Sequence, residues 1–202
     1  VSDNSTPSTE GSDYADRLLT LETARWKKLL DVQRPYRWNL NRLKLGRTLD
    51  VGCGIGRNLL NLDPSSVGVD HNATSVEVAR KRGVTAFTGE EFLAGPHAKP
   101  GAFDSILLAH VVEHMPIDDA RTVVAQYLPY LKRGGRVMFI CPQEKGYTTD
   151  STHVSFTDAA ALQGLSRSLG LTVAKSYSFP FPRIAGKLFA YNEFCVLAVK
   201  NS

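Results

Sequence analysis

The chain has 202 residues, 43% of them hydrophobic, and a formal net charge of +4, enough for one substantial core and too short for two full domains. No apolar run reaches membrane-spanning length and the polar start does not read as a secretory leader, so a cytoplasmic location is the expectation. Cys53, Cys141 and Cys195 are odd in number, widely separated and without C-x-x-C pairing, which argues against a disulfide framework or a zinc knuckle and predicts reduced thiols.

Residues 1–12 are rich in Ser, Thr, Asp and Gly and hold little to bury, which predicts a flexible tail. Residues 13–46 read as a helical cover: an amphipathic helix from a plausible Asp13 cap to about Val32, a break at Pro35, and a short helix from Tyr36 to Leu45. From residue 47 to 202, strand patterns near 47–51, 66–69, 84–87, 103–109, 135–141, 171–178 and 192–199 are separated by helical patterns near 57–62, 73–82, 117–131 and 157–168. That alternation predicts an α/β domain, a doubly wound and mostly parallel seven-stranded sheet with helices on both faces. The connection from Ser178 to Tyr191 is too proline-rich for a regular crossover helix.

The densest local signal is Thr48-Leu-Asp-Val-Gly-Cys-Gly-Ile-Gly-Arg-Asn-Leu59, a short apolar strand that runs into Gly52, Gly54 and Gly56. Without β-carbons the backbone can turn tightly and approach a ligand, and a helix beginning after it would offer free N–H groups. A dinucleotide fingerprint would place its third glycine one position later, where this chain has Arg57, a side chain that would crowd a pyrophosphate. Val67-Gly-Val-Asp70 is a second strand ending in a carboxylate, at the separation where such folds place the acid that holds ribose hydroxyls. A third apolar strand, Phe103 to Ala109, ends beside the same crevice.

With Asp50-Val-Gly-Cys-Gly-Ile-Gly56, Val69-Asp70, Phe103-Asp104-Ser-Ile, Val112-Glu113-His114 and Leu131-Lys-Arg-Gly-Gly-Arg-Val137 in this order, the chain resembles the class I S-adenosylmethionine-dependent methyltransferases over residues 47 to 200. The resemblance implies a Rossmann-like fold with a reversed last strand, S-adenosylmethionine as cofactor and S-adenosylhomocysteine as product. It also implies a cofactor set. Asp50 would orient the glycine turn or receive the ammonium through water, the backbone of Gly52, Cys53, Gly54 and Gly56 would face the methionine portion, and Asp70, with His71 beside it, would take the ribose diol. Glu90 or Glu91, with Glu90 preferred, would lie near the adenine amino group, and Ala109, His110 and Val111 would wall the sulfonium.

His110-Val-Val-Glu113-His114 matches the H-x-x-E-H pattern of inverted zinc peptidases, but that motif needs a sustained helix and a distant third ligand. Here His110 terminates a strand and Pro116 follows at once, so no metal is expected. Methyl transfer depends chiefly on alignment, and a hydroxyl acceptor needs in addition a base of near-neutral pKa. The choices are His114, and His153 in Asp150-Ser-Thr-His-Val-Ser-Phe-Thr157, with Tyr147 able to position an acceptor.

The sequence points to a small-molecule or lipid-linked acceptor, methylated at oxygen. Basic residues dominate between Arg17 and Arg47, with Trp26, Tyr36 and Trp38 interleaved, which makes either a solvated helix face or a surface for an anionic acceptor, a phosphorylated head group or nucleic acid. Tyr36, Arg37 and Trp38 are the expected cover of the acceptor pocket. Phe179-Pro-Phe-Pro-Arg-Ile-Ala-Gly-Lys-Leu-Phe-Ala-Tyr191 is read either as a lid or peripheral membrane foot or as packing beneath the sheet edge. Nucleic acid is disfavoured as partner, because base methylation often uses an Asn or Asp-Pro-Pro-aromatic run after strand four and this chain has His110-Val-Val-Glu113 there. Two alternatives remain, a non-catalytic cofactor-binding subunit that supports a partner protein and an aminopropyl transferase. The sequence leaves the oligomeric state open.

Overall fold

The computed structural model describes residues 34–201; the tail over 1–12 and the helix over 13–32 expected from the sequence lie outside them. The described chain begins with α1 (Arg34–Leu43) and continues through β1 (Thr48–Val51), β2 (Val67–Asp70), α2 (Ala73–Lys81), β3 (Ala86–Thr88) and α3 (Gly89–Ala94). It goes on through β4 (Phe103–Ala109), α4 (Ile117–Tyr127), β5 (Leu131–Pro142), α5 (Glu144–Tyr147), α6 (Ala159–Ser168), β6 (Leu171–Phe179) and β7 (Glu193–Lys200).

The seven strands form one sheet in the order β3-β2-β1-β4-β5-β7-β6. β1 to β5 pair in parallel, and β7 inserts antiparallel to both β5 and β6. The expected reversed strand is therefore present. Parallel strands covered on both faces must be apolar throughout, and β1, the middle of β4 and the second half of β5 are buried at nearly every position. One face packs Ile106, Leu108, Val137 and Phe139 against Val124 of α4 and Leu162 of α6. The other sets Leu107, Met138 and Ile140 against Leu40 of α1. At about 1.5–3 kcal/mol for each large side chain removed from water, these two faces dominate the stability.

Three local expectations change. The helix near 57–62 is only a single 3-10 turn, Leu59–Asn61, because Gly54 and Gly56 sit at positive φ and Pro64 follows closely. α3 is an addition to the expected elements; Thr88 and Glu91 build it by a reciprocal capping box. The helix expected to Leu131 ends at Tyr127, where Pro129 enters a 3-10 turn, and β5 starts at Leu131 rather than Gly135. Asp104 at the head of β4 accepts a hydrogen bond from the Arg47 backbone N–H (2.8 Å) and pairs with Lys132, tying the entries of β1, β4 and β5 together.

Candidate active site

The parallel strands deliver their C-terminal ends to one edge of the sheet, and there a cleft of about 350 Å³ opens. Its lining combines the glycine turn (Gly52, Cys53, Gly54), the end of β4 (Ala109, His110), His114, the loop bearing Asp150 and His153, the start of β7 (Glu193), and Tyr36 and Asn39 of α1.

The turn needs glycine for stated reasons. Gly52 has φ +74, and a β-carbon there would meet Val111 Cγ2 at 2.4 Å, so Val111 packs over the turn instead of opening into the cleft. Gly56 faces away, towards Ala79 of α2 and Val84. The N–H groups of Gly52 and Cys53 both donate to the Val69 carbonyl, that of Gly56 to Cys53, and that of Gly54 to Asp70 Oδ2 at 2.7 Å. These four N–H groups are committed within the protein, so at these positions the turn offers close backbone approach.

Asp50 lies beneath this turn, fully buried, with neither carboxylate oxygen hydrogen-bonded among the described residues. Burial, with the Asp70 charge adding to it, pushes its pKa up to about 8. Asp70 is buried at the end of β2, its second oxygen accepting from the Asn72 N–H at 2.9 Å. His71 is exposed beside it, its Nδ1 3.5 Å from Asp70 Oδ1. Neither Asp70 nor His71 lines the cleft. Burial, with Asp50 and Asp70 adding, raises the Cys53 thiol far above its ordinary range, which leaves it a packing residue.

The two acids after β3 separate in role. Glu91 accepts from the Thr88 N–H at 2.8 Å and from Arg80 Nη2 at 2.6 Å, so it is committed to capping α3. Glu90 is exposed on the first turn of that helix.

At the end of β4, His110 adopts φ +59, and its backbone N–H donates to Ile140 O at 2.9 Å. This turns the ring between two buried carboxylates, with Nε2 2.9 Å from Glu193 Oε1 and Nδ1 3.3 Å from Glu113 Oε1. The ring is half exposed to the cleft, and its partial desolvation works against a charge, but the two carboxylates outweigh this and push His110 up to about 10. Burial also raises Glu113, yet His110 wins and holds it below the usual carboxylate range; for Glu193 burial prevails and its pKa is raised. The trio therefore holds one cation against one firm anion and one acid inclined to keep its proton.

His114 and His153 meet on the opposite wall, ring centroids 4.9 Å apart, and Tyr147 stacks on His153 at 5.2 Å. His114 Nδ1 lies 3.1 Å from the Thr152 carbonyl and 3.2 Å from Thr152 Oγ1, a hydroxyl that gives its own proton to Asp150 Oδ1. Both neighbours accept, so Nδ1 carries the hydrogen and Nε2 is bare. His153 Nδ1 lies 2.7 Å from the Tyr147 carbonyl, and the same reasoning bares its Nε2. Burial, only partly opposed by Glu113, lowers the His114 pKa and keeps that ring neutral.

Residues 49–139 match a family described as a methyltransferase domain. The chain also superimposes with TM-score 0.65 on magnesium protoporphyrin IX methyltransferase from Synechocystis PCC 6803 with bound S-adenosylhomocysteine, at 15% identity and covering 96% of this chain and 97% of that one. Residues 49–139 thus match a methyltransferase domain, and the fold is one shared with S-adenosylmethionine-dependent methyltransferases. A methyltransferase from Thermotoga maritima has the same fold as this domain, with TM-score 0.64 at 20% identity over 93% of this chain and 99% of the other. In sequence the domain is 28% identical over 134 residues to the Xenopus tropicalis tRNA (carboxymethyluridine(34)-5-O)-methyltransferase alkbh8, over 65% of the chain but only 21% of that relative. The chain thus spans about a fifth of the length of that relative, and the expectation against nucleic acid finds no support in it.

The residues fit the S-adenosylmethionine that the sequence resemblance implies: the orphaned Asp50 carboxylate, buried beneath the cleft rather than lining it, lacks the cationic partner an ammonium would supply, and the bare turn over it admits a ligand chain. Of the cover expected from Tyr36, Arg37 and Trp38, helical periodicity sends only Tyr36 into the cleft, where its hydroxyl bonds the Tyr191 carbonyl. Trp38 is 56% exposed and stacks outward on Phe179. Sequence reasoning missed Glu193 and Asn39. The signal for Glu193 was an acid placed directly before the uninterrupted apolar run Phe194 to Val199.

Proposed function

We propose that this methyltransferase domain methylates an oxygen of a small-molecule or lipid-linked acceptor. The observation that carries the proposal is the pair of bare Nε2 atoms on His114 and His153, in the same cleft as the glycine turn. When bound, S-adenosylmethionine supplies an electrophilic methyl group on a sulfonium. Asp50 and the turn Gly52–Gly54 hold its amino-acid end and Asp70, with Glu90 beyond it, its nucleoside end. Ala109 and His110 wall the reacting centre and exclude water. His114, neutral because it is buried, takes the proton of the acceptor hydroxyl at Nε2 while its Nδ1–H stays on Thr152. His110 cannot do so, since both its nitrogens face carboxylates and it already carries a proton.

The lipid-linked option draws support from Phe181, Ile184 and Leu188, which are exposed on the connection that also supplies Ala190 and Tyr191 to the cleft. Beside Arg183 and Lys187 these make an amphipathic edge suited to a peripheral membrane contact. Among the described residues no helix is long and apolar enough to cross a membrane.

A second reading is an oxygen of a nucleoside in RNA. It draws on the tRNA relative and on a shallow basic depression of α1 lined by Arg34, Arg37, Trp38, Asn41 and Arg42, in which Arg42 stacks on Trp38 at 4.6 Å. Such a surface suits phosphate and base contacts.

The test is transfer of labelled methyl from S-adenosylmethionine into cell extract fractionated into small polar molecules, lipids and RNA, with the labelled product identified by mass spectrometry. Label on oxygen in either of the first two fractions supports the proposal. Label confined to RNA establishes the second reading, and binding of S-adenosylmethionine with no labelled product in any fraction defeats both in favour of a non-catalytic subunit.

A further inference from the structure

We propose that Glu113, His114 and His153 form a binding site for one divalent transition-metal ion at the acceptor end of the cleft. One ligand atom from each of the three lies within 4.8 Å of the other two. Around a tetrahedral ion with bonds of about 2.1 Å, ligand atoms stand about 3.4 Å apart, so binding draws the most distant pair together by up to about 1.4 Å, within reach of side-chain rotation.

Three further observations single this group out. Each imidazole is already set as a ligand, because His114 Nδ1–H is held by Thr152 and His153 Nδ1–H by the Tyr147 carbonyl, leaving both Nε2 lone pairs uncommitted. An outer hydrogen bond from Nδ1 to a carbonyl is how metal-binding histidines are fixed. Glu113 is fully buried, and its Oε2 has no hydrogen-bond partner among the described residues, an orphaned acceptor that a cation would satisfy. The loop carrying His153 is also fastened to Glu113 itself: the N–H groups of Val154 and Ser155 both donate to the Glu113 carbonyl, at 2.8 and 3.1 Å. The three side chains are therefore held in one frame even though His153 is far along the chain.

The site is not the peptidase motif dismissed from the sequence. His110, the first histidine of that pattern, spends both ring nitrogens on carboxylates, Nε2 on Glu193 and Nδ1 on Glu113 Oε1, and so is no ligand; the second imidazole comes from the loop after α5. Two imidazoles and one carboxylate suit zinc and its neighbours rather than magnesium or calcium, and leave coordination positions open for an oxygen of the acceptor. A proton and the ion compete for the same His114 Nε2 lone pair, so in the metal-bound form an acceptor hydroxyl would be activated at the ion rather than by His114; this use rests on the methyl-transfer reading, the metal site itself does not.

The experiment is titration of the tag-free, chelator-treated chain with Co²⁺ alone, followed by visible absorption and equilibrium dialysis. One equivalent bound per chain, with ligand-field bands of a low-symmetry site and displacement by Zn²⁺, is the expected result. His114→Ala and His153→Ala should each weaken binding by at least about tenfold, while His97→Ala, remote from the cleft, leaves it unchanged. Calorimetry with S-adenosylhomocysteine on His153→Ala reports that the variant is folded and keeps failure of the methyl-transfer reading separate from failure of this one. No saturable Co²⁺ binding by the folded chain, or equal binding by wild type and both histidine variants, would overturn the site.

Discussion

His110 Nε2 lies 2.9 Å from Glu193 Oε1, joining the end of β4 to the first residue of β7 across the floor of the cleft. A protonated histidine set between the Glu113 anion and Glu193, whose own pKa is raised, links stability to pH. The folded state holds this proton up to about pH 10, whereas the unfolded chain releases it near 6.5. The contribution is complete below about pH 6.5 and is lost as pH rises towards 10. Thermal melts of the wild type should therefore fall across that window, and melts of Glu193→Gln should fall less steeply. Parallel slopes for the two proteins would contradict the linkage.

Asp50 makes the same argument with a different outcome. Its folded pKa near 8 stands far above the ordinary 3.8, so keeping its proton costs the folded state more as pH rises from about 4 to 8. Asp50→Asn removes that cost. It should raise the midpoint of unfolding of the ligand-free chain at pH 8 by about 3–6 °C, for roughly 1–2 kcal/mol, and little at pH 4. Calorimetry should show S-adenosylhomocysteine binding weakened by about tenfold, because the Asp50 carboxyl, which an incoming ammonium would ionise, is the group set beneath the turn.

Asp70 both anchors the Gly54 N–H and is assigned to the ribose diol. Asp70→Ala should lose about 1–3 kcal/mol of cofactor affinity, roughly tenfold to a hundredfold. Isothermal titration measures it, and circular dichroism confirms the fold. Undiminished affinity in a folded variant would move the diol contact elsewhere.

Gly52→Ala places a β-carbon 2.4 Å from Val111 Cγ2 in a backbone with φ +74. The expected cost is about 2–4 kcal/mol, of which about 1–2 is backbone strain and the rest the clash. Val111→Ala in the same chain should recover the clash portion only. Denaturant melts of the double-mutant cycle separate the two, and full recovery would show that φ is not the constraint.

For turnover, His114→Ala should lower kcat at saturating cofactor by about 10²–10⁴-fold with the KM for S-adenosylmethionine little changed. Steady-state kinetics across pH provides the check. Retention of full activity by both His114→Ala and His153→Ala would remove these residues from the chemistry.

The seven strands, the reversed last one and the glycine turn were legible in the sequence, the reversal through the family resemblance and the rest because local patterns encode them. Buried parallel strands are written as apolar runs, and the turn is written as three glycines with an acid on either side. Features that depend on distant partners were not legible. That Glu91 is committed to a capping box with Thr88 and to Arg80, one helix earlier, could not be read from the doublet itself. The failure of a helix to form after Gly56 reflects the positive φ values that the turn imposes. His114 could be proposed as a base from its type alone, but its tautomer depends on Thr152, whose hydroxyl is in turn committed to Asp150. Glu193 stayed hidden because its significance comes from a pairing with His110 across 83 positions of chain.

Because β7 runs against its neighbours, the sheet edge that receives the last residues of β4 and β5 receives the first residue of β7. Glu193 is thus delivered by the irregular segment from Pro180 to Asn192 rather than by the end of a buried strand. Insertions or deletions in that segment can reshape the acceptor wall while β1, β2 and their glycine bend stay untouched. Donor recognition and substrate choice are built on separable lengths of polypeptide, and the second can drift while the first is held fixed.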